Sequence, residues 1–424
     1  MRRGAHGVRR TVARRGRLLA LLAVLGPGMI TANAGNDAGG IATFASVGAE
    51  FGYSLLWILI PITISLGIVQ EMCARMGAVT GKGLSDLIRE RFGVRWTALI
   101  MLALLIANAG VTVSEFVGIA AAAELFGVSR FAAVPLAAIL VWWLVAKGSY
   151  KKVEKVFLLM SLVFLGYIVS AFLSRPDWAA VGIGLVKPTV KLENAFVFTL
   201  VAIVGTTISP YMQVFVQSSV VEKGATADDY SETKIDVWFG NIFSSLIVFF
   251  IIVSTAATLY KAGIHISTAA DAASALRPLA GRYAETLFGL GLIGASMLAA
   301  GVVPLATAYS ISEALGFEKG VSHSFREAPI FLGTFTFLVA VGAAIAVIPN
   351  LPLFRVLLVT QVINGLLLPF VLFAILKLIN NRELMGTKVN GPLYNLAAWV
   401  TAIVVTALSL LYIVMTIFPG VVRL

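Results

Sequence analysis

Residues 26–43 read GPGMITANAGNDAGGIAT, a polar, glycine-rich stretch inside what hydropathy predicts to be the first membrane-spanning segment. It contains one carboxylate, Asp37, which is costly at membrane depth unless a partner or a water-lined cavity satisfies it. Gly35, Gly39 and Gly40 surround this aspartate and disfavour a continuous helix. Unwound backbone is tolerated in a bilayer only where it is buried in protein or lines a cavity. We therefore expect a broken span in which Asp37 holds a cation.

The composition is that of a membrane protein, because 59% of the 424 residues are hydrophobic and 12% are charged. The net charge of +11 comes mainly from the amino-terminal tail and from alternate loops. Membrane orientation requires that distribution, so it argues against a nucleic-acid partner. The single cysteine, Cys73, allows neither an internal disulfide nor a zinc cluster. The arginine-rich tail, residues 1–17, is interpreted as a cytoplasmic anchor rather than a cleaved signal.

A window of about 20 residues finds eleven apolar segments long enough to span a bilayer. The loops after the second, fourth and tenth segments carry clustered lysines and arginines, whereas the loops after the first and third do not. The positive-inside rule then places the amino terminus in the cytoplasm and the carboxyl terminus outside. The loop after the fifth segment goes against this trend. The segments are 18–48, 53–78, 95–122, 130–147, 153–174, 193–221, 237–261, 283–314, 328–349, 354–379 and 394–418.

Two further segments are predicted to have structure outside the spans. Residues 83–91 (GLSDLIRER) indicate a short amphipathic helix at the inner surface. Residues 263–277 indicate an external loop with a partial helix. Glu71 and Asp86 lie near the inner interface, where we expect solvated charges.

A second break is predicted in the sixth segment, where residues 205–211 read GTTISPY. Pro210 removes a backbone donor, and Thr206 and Ser209 can turn oxygens toward a neighbour. The alternative is an ordinary proline kink in a membrane helix. Breaks in the first and sixth spans are, however, typical of an inverted repeat of five plus five spans with its site at the midplane.

The repeat predicts how the chain is divided. We expect a first repeat at 18–175, a second at 176–380, and a loop with an eleventh span at 381–424. Unwound backbone carbonyls of the two broken spans then face Asp37, an all-oxygen arrangement suited to a hard cation.

Several segments resemble the Nramp family of divalent metal transporters. The longest is Gln70–Gly93, QEMCARMGAVTGKGLSDLIRERFG, followed by QVINGLLLPF at Gln361–Phe370. The GPG opening at Gly26 and the pair Glu115-Phe116 are similar as well. The resemblance covers nearly the whole chain. It implies an all-α polytopic membrane protein with the LeuT-type inverted repeat of ten spans, and an eleventh appended.

The departures from the family pattern are informative. The family's DPGN motif stands here as Asp37–Gly40, so that the aspartate remains and the asparagine ligand becomes glycine. The family's MPH motif stands as Ser209–Tyr211, and its carbonyl ligand falls at Thr206. The acidic residue of the third span falls at Thr112, and the arginines of the ninth span fall among Gly342–Ala344.

These departures alter the expected substrate. A thioether disfavours magnesium, and small residues at positions 40 and 209 leave room for an ion that keeps its waters. Losing the histidine, the acid and the arginines removes groups expected to relay protons. We therefore expect a uniporter-like importer of Mg²⁺, with Mn²⁺ also carried and no obligatory proton coupling, as in the Nramp-related magnesium transporter branch. The alternative is a proton-coupled Mn²⁺ or Fe²⁺ importer of the ordinary Nramp type.

The candidate metal-site residues come from both breaks. We expect the Asp37 carboxylate to bind the ion, with Gly40 mainly leaving space. Hydroxyl groups bonded back to their own helix are the alternative for the sixth span. The other proposed ligands are backbone carbonyls or a hydroxyl at Ala34, Thr206 and Ser209. Residues that line the path or hydrogen-bond the ion's waters, or simply bridge helices, are Asn36, Tyr211, Gln361, Asn364 and Glu115.

Other classes remain as alternatives. An organic-solute symporter would bind a carboxylate at a half-helix amino terminus, and Asp37 argues against that. A sensor would carry a soluble signalling domain, and an enzyme is least expected because no nucleophile and base are paired in the spans.

The three histidines fall in the tail or in loops. We expect a monomer in the cytoplasmic membrane, in contact with lipid and its metal ion, without a cofactor.

Overall fold

A computed structural model of the chain describes residues 26–147, 165–274 and 284–418, together with residues 152, 155, 156 and 159. The tail 1–17 and part of the fifth predicted segment, 153–174, lie outside the described residues. Within them, the helices of the first half are α1 Pro27–Ala34, α2 Ala38–Phe51, α3 Leu59–Thr80, α4 Leu84–Leu125, α5 Arg130–Lys147, α6 Leu165–Leu173 and α7 Trp178–Val186. Those of the second half are α8 Asn194–Thr207, α9 Pro210–Glu222, α10 Tyr230–Thr255, α11 Ala269–Ser274, α12 Ala284–Leu315, α13 Pro329–Ala346, α14 Leu353–Ile379, α15 Arg382–Met385 and α16 Pro392–Ile417.

The described residues contain nine helical stretches long and apolar enough to cross a membrane, with α8 and α9 counted as one. The other two predicted spans are the first, which is interrupted, and the fifth. Apolar side chains cover the outer faces of peripheral helices, for example Leu136 and Trp143 on α5 and Leu396 on α16. These faces suit contact with lipid tails. The chain is a multi-pass membrane protein.

The first span is broken as predicted. Helix α1 ends at Ala34, residues 35–37 are not helical, and α2 begins at Ala38. Pro27 occupies the first position of α1, where its missing N–H costs nothing. Asp37 has an extended backbone (φ −68°, ψ −179°) and caps α2 with its side chain.

The sixth span is also broken as predicted. Helix α8 ends at Thr207, and Ile208 and Ser209 leave the helical region, with ψ of 51° and 140°. Pro210 then opens α9 at the position that tolerates proline best. Every residue of α1 is buried, as are nearly all of α2, α8 and α9. The two breaks therefore lie inside the helical bundle.

The surface helix predicted at 83–91 forms the start of α4 rather than a separate element. Gly93, with φ of 72° and ψ of 173°, breaks the helical geometry between it and the third span. A left-handed φ of this kind favours glycine. The partial helix expected at 263–277 is α11. The sequence did not predict the short helix α7. Asp177 caps α7 by accepting hydrogen bonds from the backbone N–H groups of Ala179 and Ala180.

The expectation of a solvated charge is wrong for Glu71, which is 1% exposed. Its carboxylate lies 3.2 Å from Nε of Arg75 and accepts a hydrogen bond from the hydroxyl of Tyr230 on α10. Arg75 in turn donates to the carbonyl of Lys388, in the loop that precedes α16. Elements distant in sequence thus cover this charge. Asp86 is partly exposed and pairs with Lys319 at 2.5 Å.

Candidate metal centre

Asp37 lies at the first break, 1% exposed. Its Oδ1 accepts a hydrogen bond of 2.5 Å from the N–H of Gly40, which fixes the carboxylate at the amino terminus of α2. The amide of Gln361 on α14 reaches it from the other side, with Nε2 3.3 Å from Oδ1. A carboxylate has about four acceptor positions. Asp37 therefore retains lone pairs for a cation.

The glycines beside Asp37 make room for its neighbours. A Cβ atom on Gly39 would lie 2.0 Å from Nε2 of Gln361, so glycine is needed for the amide to reach the carboxylate. A Cβ atom on Gly40 would lie 2.7 Å from the Gly35 carbonyl oxygen, 2.8 Å from Oγ1 of Thr206 and 3.1 Å from Oδ1 of Asp37. Three oxygens from the two breaks thus lie close to Gly40, and a Cβ atom there would displace at least one of them.

Helix α1 ends with carbonyls directed at the sixth span. The Ala34 carbonyl accepts a 2.8 Å hydrogen bond from the hydroxyl of Tyr211, and the Gly35 carbonyl lies 3.5 Å from Oγ1 of Thr206. The structure therefore brings Ala34, Thr206 and Tyr211 together at the breaks. Tyr211 is fully buried and joins the two breaks directly.

The Ser209 hydroxyl donates back to a carbonyl of the preceding half-helix, α8. Such a bond back to the helix is the alternative stated above to a role as a metal ligand. Oγ lies 2.6 Å from the Gly205 carbonyl oxygen and 3.3 Å from that of Thr206. A hydroxyl has one proton, and the shorter contact uses it. The Thr206 carbonyl, at the end of a half-helix, thus keeps acceptor capacity toward the site.

Helix α14 supplies two amides beside these oxygens. Asn364 donates through Nδ2 to Oγ of Ser209 at 3.3 Å and to Oε1 of Gln361 at 3.4 Å. Its own Oδ1 is buried and has no hydrogen-bond partner within the part of the chain that the structure describes. A buried acceptor of this kind is costly unless water or an ion satisfies it.

Glu115 contributes a second buried carboxylate. Its Oε2 accepts from the N–H of Ala38 at 3.2 Å, and its Oε1 lies 3.0 Å from the hydroxyl of Ser114, which also lies 2.8 Å from the carbonyl oxygen of Val111. Asp37 and Glu115 thus both face the amino terminus of α2, where the helix dipole favours negative charge. Asn36 points elsewhere, because its amide lies 3.5 Å from the carbonyl of Ser244 on α10.

The donor set at the breaks consists of oxygen. The described residues contain no group of three or more histidine, cysteine, aspartate or glutamate side chains able to hold a metal ion. The breaks instead offer one carboxylate and neutral oxygens, the ligand types that magnesium, calcium and manganese accept. The nearby thioether of Met212 accepts a hydrogen bond from Gln70 on α3, with the two atoms 3.7 Å apart.

Two residues of the site were missed from the sequence. The first is Gly35, whose carbonyl lies at the site. The only sequence signal for it is its position two residues before Asp37. Ser114, whose hydroxyl lies 3.0 Å from Oε1 of Glu115, adjoins that residue in sequence. Nothing local in the sequence signals the contact of Met212 with Gly35, where a Cβ atom would lie 1.9 Å from the Met212 methyl group.

Comparison with known proteins gives consistent matches over most of the chain. The sequence profile of the family described as "Nramp: Natural resistance-associated macrophage protein-like" matches residues 28–415. The divalent metal cation transporter MntH of Yersinia enterocolitica is 30% identical over 398 residues, which cover 92% of this chain and 94% of that protein.

Solved structures share the fold. The Eremococcus coleocola manganese transporter, in complex with an aromatic bis-isothiourea compound, gives a TM-score of 0.75 at 20% identity, covering 96% of this chain and 90% of that one. MhsT in complex with L-phenylalanine gives a TM-score of 0.58 at 14% identity, covering 91% of this chain and 97% of that one. These matches confirm the predicted LeuT-type fold.

Proposed function

The chain belongs to the Nramp family, and from that premise we propose that it carries divalent metal cations across a membrane, bound between its two broken spans. One observation carries the proposal. Oxygens of Asp37, Gly35 and Thr206 come together beside Gly40, each within 3.1 Å of the position that a Cβ atom on Gly40 would take. The names of relatives, a divalent metal cation transporter and a manganese transporter, support the same substrate class.

Magnesium is the main proposed substrate. Position 209 carries a hydroxyl, and position 40 carries no side chain, so no soft ligand competes at these places. Magnesium dehydrates reluctantly and keeps some of its waters. The buried Oδ1 of Asn364, which has no hydrogen-bond partner among the described residues, is an acceptor for such a water. Manganese accepts the same oxygen ligands and is proposed as a second substrate.

Uptake without obligatory protons is supported by the packing of α4 against α13. A Cβ atom on Gly342 would lie 2.8 Å from the ring of Phe116 and 3.0 Å from Cγ2 of Thr112. A methyl group and a ring thus fill the place where the family resemblance expects an acid beside arginines. The membrane potential alone supplies about 4.6 kcal/mol per 100 mV for a divalent ion.

Burial of the site supports alternating access. Asp37, Thr206 and Ser209 are at most 1% exposed, so an ion reaches them only when helices separate. The half-helices α1 and α9 each contact the site at one end and are proposed to take part in this movement. We propose import, with the amino terminus in the cytoplasm and the carboxyl terminus outside.

A proton-coupled manganese importer is the second candidate. The observation that favours it is the pair of buried carboxylates, Asp37 and Glu115, that share the amino terminus of α2. One of them could exchange a proton while the other binds metal.

Liposome transport distinguishes the two candidates. Purified protein is reconstituted with a magnesium indicator or a pH indicator inside, and an inside-negative potential is imposed. We expect magnesium uptake that manganese inhibits, without accompanying acidification. Stoichiometric proton entry would refute the uncoupled mechanism, and transport of manganese without magnesium would refute the substrate assignment.

A further inference from the structure

Asp236 on α10 is a buried carboxylate, 3% exposed, outside the metal centre. It accepts hydrogen bonds from three successive donors at the start of α1, the N–H groups of Gly26 at 2.8 Å, Gly28 at 2.7 Å and Met29 at 3.2 Å. Pro27, between them, has no N–H. A residue 207 to 210 positions away in sequence thus satisfies the free donors of this half-helix.

Helix α1 cannot cap itself. Its N-cap residue is Gly26, which has no side chain to accept these bonds, and no acidic residue lies in its first turn. The N–H groups at a buried helix start need an acceptor, because the helix itself supplies none. Asp236 supplies that partner, and its negative charge also opposes the positive end of the helix dipole.

The backbones of α1 and α10 are in direct contact beside this cap. A Cβ atom on Gly28 would lie 2.6 Å from Cα of Val237, and one on Gly240 would lie 2.7 Å from Cα of Met29. Two glycines, one on each helix, therefore allow this close approach, as in other membrane helix pairs. Small sliding movements between the two helices would be blocked by such contacts.

The other end of α1 is bound to the same helix. The hydroxyl of Ser244, two turns after Asp236, donates to the carbonyl of Ala32 at 2.8 Å. The amide of Asn36 contacts the Ser244 carbonyl. Helix α10 thus contacts α1 at its first turn, along its length and at the break that precedes Asp37.

We propose that Asp236 is a positioning residue for the metal centre, which fixes α1 on α10 and so sets the position of the Ala34 and Gly35 carbonyls. In consequence α1 and α10 move as one unit, and a displacement of α10 moves those carbonyls relative to Asp37. The effect on the ion rests on the proposed function. The attachment of α1 to α10 does not.

The attachment is tested by amide hydrogen exchange of the purified full-length protein in detergent. Asp236→Ala removes all three acceptor contacts, and Asp236→Asn keeps the shape with one carbonyl oxygen. We expect faster exchange at residues 26–34 in both variants, more in the alanine variant, with unchanged exchange in α13. Asp228→Asn, an exposed aspartate in the loop before α10, is the matched control and should change nothing. Wild-type exchange at residues 26–34 in a folded Asp236 variant would overturn the proposal, whatever the protein transports.

The positioning role is tested by magnesium uptake into liposomes with the same variants. We expect KM to rise by roughly tenfold in Asp236→Ala, the change that one weakened buried contact at the site produces, and by less in Asp236→Asn. A purely structural role would lower the maximal rate in proportion to folded protein and leave KM unchanged. That result, alongside faster exchange at residues 26–34, would overturn the positioning role. If the wild type itself does not transport magnesium, the proposed substrate fails and the exchange measurement still decides the attachment.

Discussion

Replacing Gly40 by alanine tests the geometry of the proposed metal centre, because it adds a single methyl group beside the proposed ligands. The new methyl carbon would lie 2.7 Å from the Gly35 carbonyl oxygen, a backbone atom, and 2.8 Å from Oγ1 of Thr206. Both contacts are shorter than carbon and oxygen tolerate, so at least one of these oxygens must move. Overpacking of this kind costs about 1–3 kcal/mol.

The cost should fall on ion binding. The methyl group would displace oxygens of Gly35, Thr206 or Asp37, which are the groups proposed to bind the cation. If the whole cost opposes binding, affinity falls roughly 5- to 150-fold, since about 1.4 kcal/mol corresponds to a factor of ten. Stability should suffer less than binding, because alanine favours a helix over glycine by up to about 1 kcal/mol.

The assay is the initial rate of magnesium uptake into liposomes as a function of external magnesium, for wild type and Gly40→Ala. Gly333→Ala on α13 is the matched control, because a Cβ atom there would meet nothing within 4 Å. We expect a raised KM for Gly40→Ala and a wild-type KM for the control. A folded Gly40→Ala protein with wild-type KM would refute the placement of the ion beside Gly40.

Two further predictions concern selectivity and stability. Ser209→Met introduces a thioether at the second break and should raise manganese or cadmium uptake relative to magnesium, measured by competition in liposomes. An unchanged preference would contradict the role of position 209 in selectivity. Arg75→Met leaves Glu71 buried without its arginine and should lower stability by about 3–5 kcal/mol, measured by thermal unfolding in detergent. The exposed pair Lys82 and Glu90 offers a control, since Lys82→Met should change stability by less than about 1 kcal/mol. Equal effects of the two substitutions would contradict the burial of Glu71.

The two breaks were predictable because their causes are local. Glycines beside Asp37 in the first span, and Pro210 after Ser209 in the sixth, disfavour a continuous helix whatever surrounds them. The same local rule named both possibilities for the Ser209 hydroxyl, and the structure shows the bond back to α8. The local sequence could not decide between a bond back to the helix and a role as a metal ligand, because the outcome depends on which acceptors lie near the hydroxyl.

The rest of the site depends on contacts between distant parts of the chain. Gln361 lies 324 positions from the carboxylate that it contacts, and Asp236 lies about 210 positions from the helix that it caps. No spacing rule reports such pairs. The error on Glu71 has the same origin, since Tyr230 and the segment around Lys388 cover a charge that its position near the interface predicted to be solvated.

The central claim is that Asp37 binds the transported ion, and magnesium uptake by Asp37→Asn and Asp37→Ala in liposomes tests it directly. Both variants remove the charge, while the asparagine can still cap α2. With incorporation matched to the wild type, we predict uptake no faster than in protein-free liposomes for either variant. Wild-type uptake by a variant that lacks the carboxylate would contradict the account.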